Sequence, residues 1–166
     1  GAGQRNAEAV YDITWGEDVM PEINGTYYII SKAIGRAVQA PSSATSTAMS
    51  HATMSATSNR QKWEIKKVRI DNGGDYSYYT ITDAGNTARG WNLSGWGLSE
   101  DYSPASDQYF SVPVICANNK STLQDGSLTE YFADNCLWYL QYEGNGWFRI
   151  RSKVSDYCVR PKKANN

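Results

Sequence analysis

The sequence has one histidine, three cysteines, three phenylalanines and almost no net charge, with 16 basic side chains against 17 acidic ones. Each scarcity removes a class of function. A single histidine, His51, excludes His-rich zinc sites and would make any catalytic triad depend on that one position. The net charge of −1 lacks the basic excess with which nucleic-acid binders neutralise phosphates, so no nucleic-acid partner is expected. No apolar run approaches the roughly 18 residues that mark a transmembrane helix, so no membrane span is expected. Cys116, Cys136 and Cys158 form no CxxC pair, and without histidine partners a structural metal is not expected. Cys116 and Cys136 flank a polar stretch that a disulfide could close. The other reading is three reduced, mostly buried thiols, and an odd count leaves at least one thiol free either way. Catalytic signatures are missing too: the chain holds no GxSxG, HExxH, P-loop or Gly-rich dinucleotide motif. A pair of carboxylates for glycoside hydrolysis would have to come from Asp12, Glu17, Asp83 and Glu100, on a chain that is small for a glycosidase. The expectation is a protein that is not an enzyme and needs no cofactor.

What is present is aromatic. Twelve Tyr and six Trp are rings with a polar handle, which suit half-exposed sheet surfaces and binding platforms better than a dry core. A length of 166 residues is about one domain, long enough to bury a core without staples. The chain opens GAGQRNAEAV, without an initiating Met or an apolar h-region, as a trimmed or processed start does. Three N-x-S/T sequons, at Asn24, Asn92 and Asn119, are near what chance gives and carry no weight.

Strand signals then recur along the chain. Val10–Trp15 alternates, and Asn24-Gly25 turns into Thr26–Ser31, which is rich in β-branched and aromatic residues. Gly35 offers a turn before the short apolar pair Ala37-Val38. Pro41 opens a Ser/Thr/Ala/Met stretch, read as a long surface excursion with one short strand inside it and His51 as a solvated loop residue. Gln61–Ile70 places apolar residues at 63, 65, 68 and 70, a pattern that changes phase once, as a strand with a bulge does. Further strands are predicted over Tyr76–Thr82, Ser106–Val112, Leu137–Tyr142, Trp147–Ser152 and Tyr157–Arg160, separated by Asn/Asp/Gly turns. Residues 117–135 read as loop or hairpin. Many short strands without a convincing helix point to a closed β barrel or sandwich.

The pattern repeats. Tyr27-Tyr28-Ile29-Ile30-Ser31 with Ala37-Val38, Tyr78-Tyr79-Thr80-Ile81-Thr82, and Trp147-Phe148-Arg149-Ile150-Arg151-Ser152 with Tyr157-Cys158-Val159 share one unit, each preceded by a Trp: Trp15, Trp63 or Trp138. Three copies of a hairpin unit, none able to bury its own apolar face, are what a threefold β-trefoil needs. Here the chain resembles the ricin B-type (R-type) lectins, whose repeat carries a Gln-x-Trp motif and a Tyr-x-Ile strand. Gln61-Lys62-Trp63 matches the first element, Gln108-Tyr109-Phe110 offers Phe in place of Trp, and Asn135-Cys136-Leu137-Trp138 keeps only the Trp. The resemblance implies an all-β fold, a β-trefoil over residues 10–163 after a flexible segment 1–9. Its units fall at about 10–60, 61–135 and 136–163, with an insertion around 95–135 in or after the second. The N-terminal strand ending at Trp15 would supply the last strand; otherwise the chain holds part of a domain. Trp15, Trp63 and Trp138 are expected in the core, and the Tyr27/Tyr28 and Tyr78/Tyr79 pairs are expected to turn one ring in and one out.

A sugar needs amide or carboxylate partners for its hydroxyls and an aromatic ring for its C–H face. The resemblance places the family's sugar-binding Asp at Gln39, Asn92 and Arg160, none of which is Asp. Asn59, just ahead of Gln61-Lys62-Trp63, stands where the family has a binding amide. The second unit is richest in suitable chemistry, with Trp91, Asn92 and Trp96 among glycines and Asp101 and Tyr102 close by. Those two Trp rings are either an exposed platform or caps on the barrel. Lys66-Lys67 and Lys162-Lys163 read as solvated charges. The expected function is a non-catalytic, lectin-like carbohydrate-binding module of a secreted, periplasmic or cell-surface glycan-handling protein, its partner a mono- or oligosaccharide. The alternative is a trefoil interaction or structural domain that has lost sugar binding.

Overall fold

A computed structural model describes residues 16–42, 47–70, 77–93, 114–118, 134–154, 156 and 158–161. The strands predicted over Val10–Trp15 and Ser106–Val112, and Trp15 itself, lie outside these residues. The chain forms β1 (Gly25–Tyr27), β2 (Ala37–Gln39), β3 (Thr47–Ala48), β4 (Ser50–Ala52), β5 (Trp63–Ile70), β6 (Ser77–Asp83), β7 (Asn86–Leu93), β8 (Val114–Asn118), β9 (Trp138–Gly144) and β10 (Trp147–Ser152). A short 3₁₀ turn over Asp134–Cys136 precedes β9. No helix among the described residues is long and apolar enough to cross a membrane.

β5 shows how the sequence sets the geometry. Lys67 faces Tyr79 across β6 and Arg69 faces Tyr78, so Val68 is the extra residue of a bulge. A bulge shifts the alternation by one, which is the phase change in the apolar pattern. The β9–β10 hairpin turns through Gly144, Asn145 and Gly146 with φ of 86°, 54° and 82°. A tight hairpin needs left-handed backbone, and glycine and asparagine supply it at little cost.

The repeat is visible in the hydrogen bonds. Single-residue bridges join Ile30 to Ala37 and Arg151 to Cys158. The next step repeats as well, Val38 N donating to Ile29 O at 2.9 Å and Val159 N to Ile150 O at 2.8 Å. Trp63 Nε1 donates to Val38 O at 3.0 Å, as Trp138 Nε1 does to Trp91 O at 3.2 Å. Each indole thus grips the backbone of a strand in the preceding unit.

β6 is the junction of the main sheet. It pairs with β5 along one side; on the other it meets β9 through Tyr78 and Tyr79, then β7 through Thr82 and Asp83. The all-β fold is a β-trefoil. Its core is centred on Trp63, Trp91 and Trp138, all fully buried. Trp91 stacks edge-to-face on both others, with centroids 5.8 Å apart in each pair.

Three expectations change. The Ser/Thr/Ala excursion holds two short strands, because β4 pairs with β2 while β3 crosses to β8. His51 is half-buried on β4, where its Nδ1 accepts a hydrogen bond from Arg36 Nε at 2.8 Å. Tyr27 and Tyr28 are both half-buried, whereas Tyr79 turns in and Tyr78 stays partly out, as alternation requires.

Candidate functional site

Of the seven residues suggested by the sequence, four lie among the described residues: Gln39, Asn59, Trp91 and Asn92. Trp91 is a correction: its exposure is 0%, and its ring is the middle member of the tryptophan core instead of a platform for a ligand. The strand explains why. β7 alternates, so Trp91 and Leu93 turn inward and Asn92 turns away from them. Trp96, Asp101 and Tyr102 lie outside the described residues.

Gln39 and Asn92 occupy equivalent places and have equivalent partners. Gln61 Nε2 donates to Gln39 Oε1 at 3.2 Å, and Asn135 Nδ2 donates to Asn92 Oδ1 at 2.7 Å. Asn92 Nδ2 in turn points at Cys136 Sγ, 3.1 Å away. In both units the amide that follows the indole-bound carbonyl is tied to an amide just ahead of the core tryptophan. Cys136 and Cys158 are not joined in disulfides, so the Cys116–Cys136 pairing is not formed. Burial pushes the Cys136 thiol up to about 11. The third equivalent residue, Arg160, is exposed.

Asn59 lies elsewhere, on the wall of a polar crevice of about 270 Å³ shared with Ser42, Arg60, Asp83, Asn86 and Arg89. Its charges serve the fold. Arg89 donates to Asp83 Oδ2 from Nε at 3.0 Å and from Nη2 at 2.8 Å, and Nη2 also reaches Pro41 O at 2.9 Å. Asp83 Oδ1 accepts from Gly85 N at 2.9 Å, closing the β6–β7 turn. A buried ion pair bonded this fully ties the segment after β2 to the hairpin.

A second cleft, of about 290 Å³, has a different character. It is lined by Tyr79 of β6, Tyr139 and Leu140 of β9, Lys67 of β5 and Ser77, and by Met20, Pro21 and Glu22 of the strap, residues 16–22, that leads to β1. Lys67 and Tyr79 are directly opposed across β5 and β6, which places them on one face. Burial and, secondarily, the Glu22 carboxylate push the Tyr79 phenol above its usual range, so it stays a protonated donor. The strap is fastened at its far end. Tyr142 Oη donates to Asp18 Oδ1 at 2.6 Å and Asn145 N donates to Asp18 Oδ2 at 2.7 Å, both lowering the Asp18 pKa. No sequence signal single-handedly marked this cleft, because it joins the strap to strands from two repeats. Its one foreshadowing was the Tyr-rich strand of the second unit. Among the described residues no group of three or more His, Cys, Asp or Glu side chains is placed to hold a metal ion.

No protein-family model and no curated protein matches the sequence. Among solved structures, the chain is similar to ThreeFoil, a designed 3-fold symmetric protein, with a TM-score of 0.59 and 15% identity. That similarity covers 86% of this chain and 82% of the designed one. At such low identity it speaks for the fold alone.

Proposed function

We propose that the protein is a non-catalytic, lectin-like carbohydrate-binding module, as the ricin B-type resemblance implies, and that a single sugar ring sits in the strap cleft. The observation that carries this reading is the meeting of two tyrosines, a hydroxyl, a carboxylate and an ammonium in one cleft of about 290 Å³. That size lies near the lower end of small-molecule sites, about 300–1,000 Å³, and so favours one ring over a long chain. Tyr79 brings an aromatic ring to the face it shares with Lys67, while Glu22 accepts from hydroxyls and Ser77 and Lys67 donate to them. The polar crevice around Asp83 supports the reading less, having no ring and an ion pair already engaged. A module of this kind belongs in a secreted, periplasmic or cell-surface glycan-handling protein.

One observation favours a second reading, an interaction or structural domain without sugar binding: Gln39 and Asn92 are locked by neighbouring amides. Glycan-array screening followed by calorimetry on wild type and Lys67→Ala separates the two. The lectin-like reading expects a sugar retained by wild type and bound about tenfold more weakly by the variant, the loss of about 1.4 kcal/mol. No glycan retained by wild type favours the second reading. Equal binding by both proteins moves the ligand out of the strap cleft.

A further inference from the structure

We infer that Asp18 is the positioning residue of the strap cleft: it fastens the strap so that Met20, Pro21 and Glu22 complete the ligand's wall. The inference rests on the cleft being the sugar site. Residues 16–18 are exposed, and Val19 and Met20 keep 69% and 37% of their surface, so little apolar packing holds this segment. What holds it is the Asp18 carboxylate. One oxygen takes the Tyr142 phenol and the other the Asn145 amide, on a hairpin 124 and 127 residues away in sequence. The phenol is itself fixed, because Gly146 N donates to Tyr142 Oη at 2.9 Å. Glycine at 144 leaves room for the carboxylate: a Cβ there would stand 3.1 Å from Asp18 Oδ2.

The receptor is therefore a built one, with a turn amide, a phenol and a glycine shaped around one carboxylate. Its place two residues before Met20 makes it a fastener for the cleft wall. Asp18 does not line the cleft, so its effect on a ligand passes through the strap.

The test pairs hydrogen exchange of residues 16–22 with binding to a panel of D-galactose, D-mannose and D-glucuronate, on wild type, Asp18→Ala, Tyr142→Phe and the double variant. Expected are faster strap exchange in Asp18→Ala, unchanged exchange in β5, β6 and β9, and at least about tenfold weaker binding of whichever sugars wild type binds. Tyr142→Phe should show part of both effects. The double variant should be no worse than Asp18→Ala, since both substitutions cut one connection. Strap exchange equal to wild type overturns the inference, as does a loosened strap with unchanged affinity. Wild type that binds none of the three sugars overturns the inference together with the cleft's function, whereas binding that survives Asp18→Ala overturns the inference alone.

Discussion

Three tryptophans share one environment but not one set of bonds. Trp63 and Trp138 use their indole N–H groups on backbone carbonyls, whereas Trp91 Nε1 is buried and finds no acceptor among the described residues. Replacing each by Phe removes a similar volume. Trp63→Phe and Trp138→Phe also remove an indole donor from a strand carbonyl, at about 1 kcal/mol, while Trp91→Phe removes a donor with no acceptor among the described residues. Urea midpoints should therefore rank Trp91→Phe as the mildest of the three; an equal loss would refute the ranking. Cys136 makes a second residue-scale prediction. Its thiol is held at about 11 by burial, so stability linked to it is fully present below the usual thiol pKa of about 8.5 and is lost as pH rises towards 11. Alkylation at neutral pH should accordingly spare Cys136 until the protein unfolds. The sequence exposes Trp63 and Trp138 through their place in the repeat. It hides Trp91 because neighbouring glycines look like a loop, whereas Gly90 pairs with Thr82 and Ala117 inside the sheet.

Elements are held by a few polar fasteners that patterning does not reveal. The bulge in β5 was readable, since a bulge leaves its mark on the alternation of apolar residues. The Asp83–Arg89 pair was not, because a charged residue in a turn carries no sign of its partner. Both side chains are nearly inaccessible, at 5% and 8% of their surface. Asp83→Ala would leave the buried Arg89 charge without its carboxylate, and chemical denaturation should register a loss of about 3–5 kcal/mol. Asp83→Leu combined with Arg89→Met should recover much of it; a double variant as weak as the single would contradict this account. At the hairpin, Gly144 has a φ of 86° and faces Asp18, so Gly144→Ala should cost about 1–3 kcal/mol and lower the melting temperature. The strap has its own pH window. Asp18 has a lowered pKa, so its contribution is present above the free carboxylate value of about 4 and disappears as pH falls below that. Limited proteolysis of the strap should begin in that acid range, and Asp18→Ala should remove the pH dependence.

The whole molecule was more legible than its site. Three repeats of an aromatic strand announce a trefoil, because periodicity reports burial and burial sets the architecture. A cleft assembled from strap, second unit and third unit leaves no local motif, whereas Gln39, Asn92 and Trp91 each belong to a single unit. Those positions serve the trefoil's own bonding. The junction at β6 bears on how the chain comes into being. During synthesis β5, β6 and β7 emerge well before β9, so the side of β6 at Tyr78 and Tyr79 stays open until the third unit arrives. An unpaired strand carrying two tyrosines is a template for the wrong partner, including another nascent chain. The stretch between β6 and β9 therefore sets how long each new molecule remains adhesive, and slowing translation across it should increase aggregation without altering the finished fold.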